Sequence, residues 1–128
     1  MARKVIATPH APKPAGPYSQ GIVSNGFLFT AGFGPQNPIT GEVAESIGEQ
    51  ARQVLRNIEA VVHEAGATMR DVVKATVHLY HLKRDFAEFN AAYVEFFDEP
   101  FPVRTTVGSQ LLGILVEIDV TVALPAET

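Results

Sequence analysis

Two runs near the C-terminal end decide the fold: Pro102-Val103-Arg104-Thr105-Thr106-Val107 and Leu115-Val116-Glu117-Ile118-Asp119-Val120-Thr121-Val122-Ala123-Leu124. Both are rich in β-branched residues, and apolar residues recur at every second position, which predicts two strands. Because successive side chains of a strand point to opposite faces, the second run has one apolar face and one polar face. The polar face carries Glu117, Asp119 and Thr121.

The first run alternates in the same way. We expect Val103 and Val107 on the apolar side of this strand, and Arg104 and Thr106 on the polar side. If the two strands are neighbours in one sheet, Arg104 and Glu117 share a face. Two interpretations of that pair stay open. A cross-strand salt bridge is the commoner one, and a pair of residues that begins a binding site is the alternative.

Upstream of these runs, three further strands are predicted in the first third of the chain, at residues 4–7, 18–23 and 27–33. Asn25-Gly26 joins the last two strands, and this dipeptide is a strong signal for a tight hairpin. Residues 8–17 contain four prolines, which fix φ and remove backbone donors, so this segment is an extended loop.

Two helices and one more strand complete the pattern. Ser46-Ile47-Gly48-Glu49 fits a capping box and opens a helix that ends near Gly66. Asp85-Phe86-Ala87-Glu88 opens a second helix that reaches about residue 97. Between them, residues 71–80 alternate as a strand, with Val73 expected on its apolar face.

The resulting order predicts an α+β fold, with a single mixed sheet of about six strands and two helices packed on one face. Two helices cover only one face of such a sheet, so the other face meets water or another copy of the chain. Its threonines and valines favour an oligomer interface. The residues expected on this face are Lys74, Thr76, His78, Arg104, Thr106, Glu117, Asp119 and Thr121.

Length and composition restrict the class of protein. The chain has 128 residues, 46% of them hydrophobic and 19% charged, which is typical of one globular domain spanning residues 1–128. The net charge of −4, with scattered basic residues, disfavours nucleic acid as a partner. No apolar run approaches the roughly 20 residues of a membrane helix, and no signal peptide is recognisable, so we expect no membrane partner and a cytoplasmic location.

The residue types available narrow the chemistry. The chain has no cysteine, which excludes disulfides, a cysteine nucleophile and thiolate metal sites. His78 and His81 are three residues apart in or after a strand, so they point to opposite faces and make a poor metal site. Ser19 and Ser109 have no obvious histidine and acid partners, which disfavours a serine triad. Chemistry must therefore use arginine, glutamate, tyrosine and backbone groups.

Arg104 and Glu117 are the best candidates. An arginine presents a planar fork of donors that matches a carboxylate or a phosphate. A glutamate nearby is able to hold or deprotonate a water molecule. This pair suits the hydrolysis of a small acid that needs only water.

Motifs along nearly the whole chain resemble the RidA (YjgF) family. They are Gly16-Pro17-Tyr18-Ser19-Gln20-Gly21, Thr30-Ala31-Gly32, Pro38-Ile39-Thr40-Gly41-Glu42-Val43, Gln50-Ala51-Arg52-Gln53-Val54-Leu55-Arg56-Asn57-Ile58, Phe89-Asn90-Ala91-Ala92-Tyr93, Phe101-Pro102-Val103-Arg104 and Val116-Glu117-Ile118. The resemblance implies a chorismate-mutase-like fold and a homotrimer with sites in clefts between subunits.

The resemblance also implies an activity. The best-known members of the RidA family hydrolyse reactive enamines and imines, such as 2-aminoacrylate, 2-iminopropanoate and 2-iminobutanoate, to 2-keto acids and ammonia. They use no metal or organic cofactor. Small 2-imino and 2-keto carboxylic acids are then the expected ligands. Two alternatives stay open: a binding or regulatory member that holds a small carboxylate without turnover, and an endoribonuclease.

Two roles carry over from the resemblance for catalysis. Arg104 matches the arginine that grips the substrate carboxylate, and Glu117 matches the glutamate that positions the attacking water. Tyr18 and Gly32 match residues that line the pocket.

Other positions match less fully. Thr106 stands where many members have cysteine, whose main-chain groups face the ligand. Asn90 matches a family asparagine with either a structural or a binding role. Ala31 stands where serine is common, and Phe33-Gly34 replaces glutamine and an aliphatic residue. The bulk of Phe33, with the space that Gly34 leaves beside it, predicts a preference for imines with apolar or aromatic side chains over the smallest ones.

Overall fold

The computed structural model describes residues 2–126. In chain order, its elements are β1 (Lys4–Ile6), β2 (Gly21–Ser24), β3 (Phe27–Thr30), α1 (Ile47–Glu64), a short 3-10 turn (Met69–Asp71), β4 (Val72–Leu79), α2 (Leu82–Tyr93), β5 (Val103–Gly108) and β6 (Val116–Ala123). None of the described helices is long and apolar enough to cross a membrane.

The strands form one six-stranded sheet in the order β1-β2-β3-β6-β4-β5. β4 and β5 are parallel, joined by α2 as a crossover, and the other neighbours are antiparallel. The predicted mixed sheet with two helices is therefore confirmed. The condition on which Arg104 and Glu117 would be cross-strand neighbours is not met, because β4 lies between β5 and β6.

The core lies between the two helices and one face of the sheet. The predicted apolar face of β6 is confirmed, since Val116, Ile118, Val120 and Val122 are all buried. The inward face of α1 supplies the opposite wall of the core with Val54, Leu55, Ile58, Val61 and Val62. Burial of this apolar surface is the main source of stability for the fold.

Local signals in the sequence set the hairpin and the first helix. Asn25 and Gly26 have φ values of 53° and 81°, as a tight two-residue hairpin between β2 and β3 requires. The Ser46 hydroxyl accepts a hydrogen bond from the Glu49 backbone N–H at the start of α1. Gly66 follows the helix with φ of +85°, a left-handed conformation in which other residues are strained.

Several predicted boundaries differ from the structure. α2 begins at Leu82 rather than at the Asp85 signature, and it ends at Tyr93 rather than near residue 97. The second and third predicted strands are shorter, since β2 begins at Gly21 and β3 ends at Thr30. Tertiary packing and loop hydrogen bonds decide these ends, which local propensity does not encode.

The sequence pattern also places Val73 on the wrong face of β4. It is 42% exposed, whereas Val72 is buried. A shift in the pairing of β4 with β6 falls between Val72 and Lys74. A bulge of this kind inserts one residue and changes the face of those on one side of it.

Gln20 fixes the proline-rich loop to the end of the sheet. This side chain is only 3% exposed. Its amide oxygen accepts a hydrogen bond from Thr8 N–H at 2.7 Å, and its amide nitrogen donates to the carbonyls of Thr8, Ala11 and Pro12 at 2.9–3.2 Å. One side chain therefore satisfies buried backbone groups from several positions of a loop that has little regular structure of its own.

We predict that Gln20→Ala lowers the free energy of unfolding by about 1–3 kcal/mol, because it leaves buried backbone groups without partners. Urea unfolding followed by circular dichroism measures this change. Gln110→Ala, at an exposed position, is the matched control and is expected to stay within about 0.5 kcal/mol of the unchanged chain. Equal midpoints for the two variants would contradict the role given to Gln20.

Candidate active site

Arg104 points to the helix-covered face of the sheet. Its Cα partner in β4 is Ala75, and the Cα partner of Ala75 in β6 is Val120. Ala75 and Val120 are both buried in the core. The sequence prediction that Val103 and Val107 take the core side is therefore wrong, and these two valines lie exposed on the uncovered face.

Helix α2 receives the Arg104 side chain. Arg104 Nη2 donates a hydrogen bond to Asn90 Oδ1 at 2.8 Å. The guanidinium carbon lies 4.7 Å from the ring centre of Tyr93, 5.5 Å from that of Phe89 and 5.8 Å from that of Phe86. Positions 86, 89, 90 and 93 share one face of a helix. The three rings and the amide hold the guanidinium by cation–π attraction and one hydrogen bond.

The Arg104 guanidinium has no carboxylate partner within residues 2–126, since none of the ion pairs there includes it. It borders a cavity of about 350 Å³ whose wall also includes Asn90, Tyr93, Phe101 and Pro102. An arginine has five donors in a fixed fork, and Asn90 uses only one of them. This cavity is therefore suited to an anion that accepts two parallel hydrogen bonds.

Tyr93 adds a buried polar atom to the same group. Its hydroxyl has no hydrogen-bond partner within the described residues. Burial raises the pKa of Tyr93 above its ordinary value, and the nearby Arg104 charge opposes that shift. The phenol therefore stays neutral beside the guanidinium at physiological pH.

Glu117 lies on the opposite, uncovered face. Its Cα partner in β4 is His78. It borders a cavity of about 710 Å³ together with Tyr18, Gly32 and His78. A Cβ atom on Gly32 would lie 2.7 Å from Glu117 Oε2, so any other residue here would displace the carboxylate. The glycine thus leaves room for the carboxylate at the end of β3.

Tyr18 closes this cavity from the proline-rich loop. Its side chain is half exposed, and its hydroxyl accepts a hydrogen bond from Ala15 N–H at 3.0 Å. Gln20 holds this loop in place, so the backbone that carries the Tyr18 ring has a defined position. Tyr18, Gly32 and Glu117 are therefore brought together, as their match to one pocket predicts.

Arg104 and Glu117 do not meet within one chain. They lie on opposite faces, two strands apart and about three residues out of step, so their Cα atoms are on the order of 14 Å apart. The predicted sharing of a face, and with it the cross-strand salt bridge, is wrong. The candidate residues fall into two separate half-sites, which we call the arginine half-site (Arg104, Asn90, Tyr93) and the glutamate half-site (Glu117, Tyr18, Gly32).

Thr106 and Phe33 were both expected to line the ligand pocket, but neither side chain lies as that expectation requires. The prediction that Thr106 lies on the uncovered face is wrong: its Cα partner is the buried Val77, so its side chain points to the helix-covered face, as that of Arg104 does. Phe33 borders the glutamate half-site cavity, but it is only 5% exposed and belongs to the core. Its backbone bonds to Ile118. The bulk of its ring therefore fills the core rather than the ligand space.

Sequence reasoning missed the polar pair beside Glu117. His78 Nδ1 lies 2.7 Å from Ser109 Oγ, and both residues border the cavity of the glutamate half-site. The expectation that Ser109 has no histidine partner is wrong. The two are 31 positions apart and meet because β4 and β5 run in parallel, a pairing that residue spacing alone does not reveal.

The chain is similar to several known proteins over most of its length. Residues 8–124 match the sequence model of the family described as Endoribonuclease L-PSP. A RutC family protein of Pyrococcus abyssi is 47% identical over 122 residues, which cover 93% of this chain and 95% of that protein. The 2-iminobutanoate/2-iminopropanoate deaminase of Escherichia coli is 43% identical over 120 residues, covering 91% of this chain and 93% of the enzyme.

A solved structure agrees with the fold. The crystal structure of Escherichia coli TdcF with bound serine superposes with a TM-score of 0.89 at 37% identity. The match covers 95% of this chain and 99% of that one. The six-stranded sheet with its two helices is therefore a shared architecture.

Asp119 gives a pH-dependent prediction. Burial raises the pKa of this carboxyl above its ordinary 3.8, although His78 and Lys74 oppose the shift. Because the folded pKa lies above the unfolded one, ionisation of Asp119 at neutral pH reduces stability. We expect Asp119→Asn to raise the melting temperature at pH 7, and the gain to shrink as the pH falls toward 3.8. A gain that is independent of pH would contradict this account.

Proposed function

Because the chain belongs to the Endoribonuclease L-PSP family, together with RutC and Rid proteins, we propose that it hydrolyses reactive imines and enamines to 2-keto acids and ammonia. The substrates are of the 2-iminopropanoate and 2-iminobutanoate type. The reaction takes place in a cleft between two copies of the chain, where one copy supplies the arginine half-site and the other supplies the glutamate half-site.

Arg104 carries this proposal. It is a guanidinium fixed by one amide and three aromatic rings, with unused donors beside a cavity. A 2-imino acid has a carboxylate next to its reactive carbon, and this group matches the arginine fork. Such a grip fixes the position of the carbon that water must attack.

The separation of the two half-sites supports a site built by two copies. A small acid held by Arg104 does not reach Glu117 of the same chain, because the sheet lies between them. Two different surfaces that complete one site form a head-to-tail contact, and such contacts generate a ring when the rotation between copies closes. We propose a homotrimer as this ring.

The uncovered sheet face is suited to the interior of such a ring. Five apolar residues on it, from β1, β3 and β5, are each at least 37% exposed: Val5, Phe27, Phe29, Val103 and Val107. They are spread across the sheet, between the polar residues of β4 and β6. Phe27 and Phe29 are neighbours, with 6.4 Å between their ring centres, and exposed aromatic residues are enriched at protein–protein interfaces.

Glu117 activates the attacking water, and Tyr18 covers the cavity in which the attack takes place. The Glu117 carboxylate accepts a proton from a water molecule whose oxygen bonds to C2 of the imine. The electron pair of the C=N bond moves to nitrogen, which takes up a proton. The C–N bond of the resulting carbinolamine then breaks, and ammonia leaves a 2-keto acid. The Tyr18 ring covers the cavity from the loop side.

A second candidate is a binding role without turnover. The arginine half-site needs only a carboxylate, and TdcF was solved with bound serine, a small carboxylic acid. Binding of 2-keto acids by a chain that leaves imine hydrolysis at its spontaneous rate would favour this candidate. The family description also names an endoribonuclease, but a net charge of −4 disfavours RNA as the ligand.

We predict that Arg104→Lys loses nearly as much activity as Arg104→Ala, by about a hundredfold or more in kcat/KM. Lysine keeps the charge but loses the planar fork, so the carboxylate is no longer oriented. The assay couples an amino-acid oxidase or dehydratase, which generates several imines in place, to detection of the keto acid. Thermal melting and light scattering report folding and oligomer size of each variant.

Glu117→Gln is the matched variant for the other half-site. It keeps shape but removes the base, so it should lower kcat more than it raises KM. Catalysis at the unchanged rate by Arg104→Ala in an intact oligomer would remove arginine from the mechanism.

We also predict that mixing Arg104→Ala and Glu117→Gln chains restores activity. If subunits exchange freely in a trimer, about a quarter of the sites contain both unchanged groups. Co-refolding the two variants and measuring imine hydrolysis tests this, with light scattering to establish the trimer. Each variant refolded alone is the control. Absence of recovery in mixed trimers would show that the site is not shared between copies.

A further inference from the structure

The His78–Ser109 pair has no part in the chemistry described so far. It borders the same cavity of about 710 Å³ as Glu117, Gly32 and Tyr18. His78 and Glu117 are Cα partners in adjacent antiparallel strands. Their Cβ atoms are therefore about 4.5–5.5 Å apart on one sheet face. An imidazole in this position lies beside the carboxylate that activates water.

Ser109 fixes the orientation of the ring. His78 Nδ1 and Ser109 Oγ are 2.7 Å apart. This contact leaves Nε2 as the other exchangeable position, and no hydrogen bond to Nε2 is found within residues 2–126. When a second group holds one nitrogen of a histidine, the other nitrogen is presented in a defined direction and protonation state.

The charged and titratable groups around His78 lie on β4, on β6 and in the proline-rich loop. Asp119 of β6 and Lys74 of β4 share its sheet face, and the charges of His78 and Lys74 both act on Asp119. β5 places Val107 and Ser109 beside the ring. The remaining titratable groups of the cavity are Glu117, Lys13 and Tyr18. Histidine is the side chain that most often serves as general acid and base in catalysis.

We propose that His78 is a catalytic acid and base that acts together with Glu117, and that Ser109 is its positioning residue. The inference deepens the proposed function and rests on it. It assigns a source to the protons that nitrogen needs, which Glu117 alone does not supply in the first step.

Two proton transfers take place in each of the two steps of the reaction. The Glu117 carboxylate takes one proton from water as the oxygen bonds to C2, and the imine nitrogen takes a proton from His78 Nε2 as the C=N pair moves to it. In the second step the hydroxyl of the carbinolamine returns a proton to His78 Nε2. Glu117 gives its proton to nitrogen as the C–N bond breaks. Ammonia and the 2-keto acid leave, and both side chains regain their starting states.

His78→Gln tests the assignment, because glutamine keeps a polar side chain but does not titrate. We expect kcat for imine hydrolysis to fall by about a hundredfold or more, the scale of general acid–base catalysis. KM should change little. The kcat of the unchanged protein should fall on the alkaline side, where the imidazolium loses its proton. This fall should be absent in the variant.

Two further variants separate catalysis from folding. Ser109→Ala removes the hydrogen bond but keeps the imidazole, so kcat should fall less than in His78→Gln, with the alkaline fall retained. His78→Ala leaves a space beside Glu117, and added imidazole should restore part of its activity. His63→Gln changes an exposed histidine of α1 and is the matched control, with kcat unchanged.

The outcomes distinguish this inference from the proposed function. If the unchanged protein does not accelerate imine hydrolysis, the proposed function fails, and the role of His78 fails with it. If the unchanged protein is active and His78→Gln retains its kcat and its alkaline fall, only the role of His78 is overturned. A loss of kcat in His78→Ala that imidazole does not restore, together with normal kcat in Ser109→Ala, would also overturn it.

Discussion

The pairing of β4 with both β5 and β6 is the constraint on which the rest of the structure depends. Ala75 aligns with Arg104 on one side and with Val120 on the other. Because aligned residues share a face, this register turns Arg104 to the helices. The same register turns His78 and Glu117 to the uncovered face. The register of one strand, β4, therefore divides the candidate chemistry between the two sides of the sheet.

The arginine half-site contains a partly dehydrated guanidinium, which costs stability but leaves donors free for a ligand. A guanidinium among three aromatic rings loses part of its hydration. No carboxylate within the described residues forms an ion pair that compensates for this loss. Cation–π attraction and Asn90 offset part of this loss. A bound carboxylate would satisfy the remaining donors. The rings also exclude water, so the attraction between the two charges is stronger than it is in bulk solvent.

The glutamate half-site is built differently, because strand β6 supplies Glu117 while irregular segments supply Tyr18 and Gly32. Gln20 holds the proline-rich loop that carries Tyr18, and Gly32 leaves space for the Glu117 carboxylate. Only the two residues at the end of β4 and after β5, His78 and Ser109, add polar groups from neighbouring strands. The position of each group depends on the strand order rather than on its own sequence surroundings.

The sequence by itself determined the features that depend on neighbouring residues. The Asn25-Gly26 hairpin, the start and end of α1 and the alternation along β6 follow from turn propensity, capping and apolar period. The family and the mixed six-stranded sheet were also predicted correctly, because the motifs that carry the resemblance extend over nearly the whole chain.

Only the tertiary structure decided the features that depend on pairing between distant strands. An alternating strand has two faces, and its sequence alone does not say which one the helices cover, so Arg104 was assigned to the wrong side. The bulge before Lys74, the burial of Phe33 and the meeting of His78 with Ser109 have the same origin. Strand order and register arise from long-range burial and hydrogen bonding, and a shift of one residue reverses every side chain.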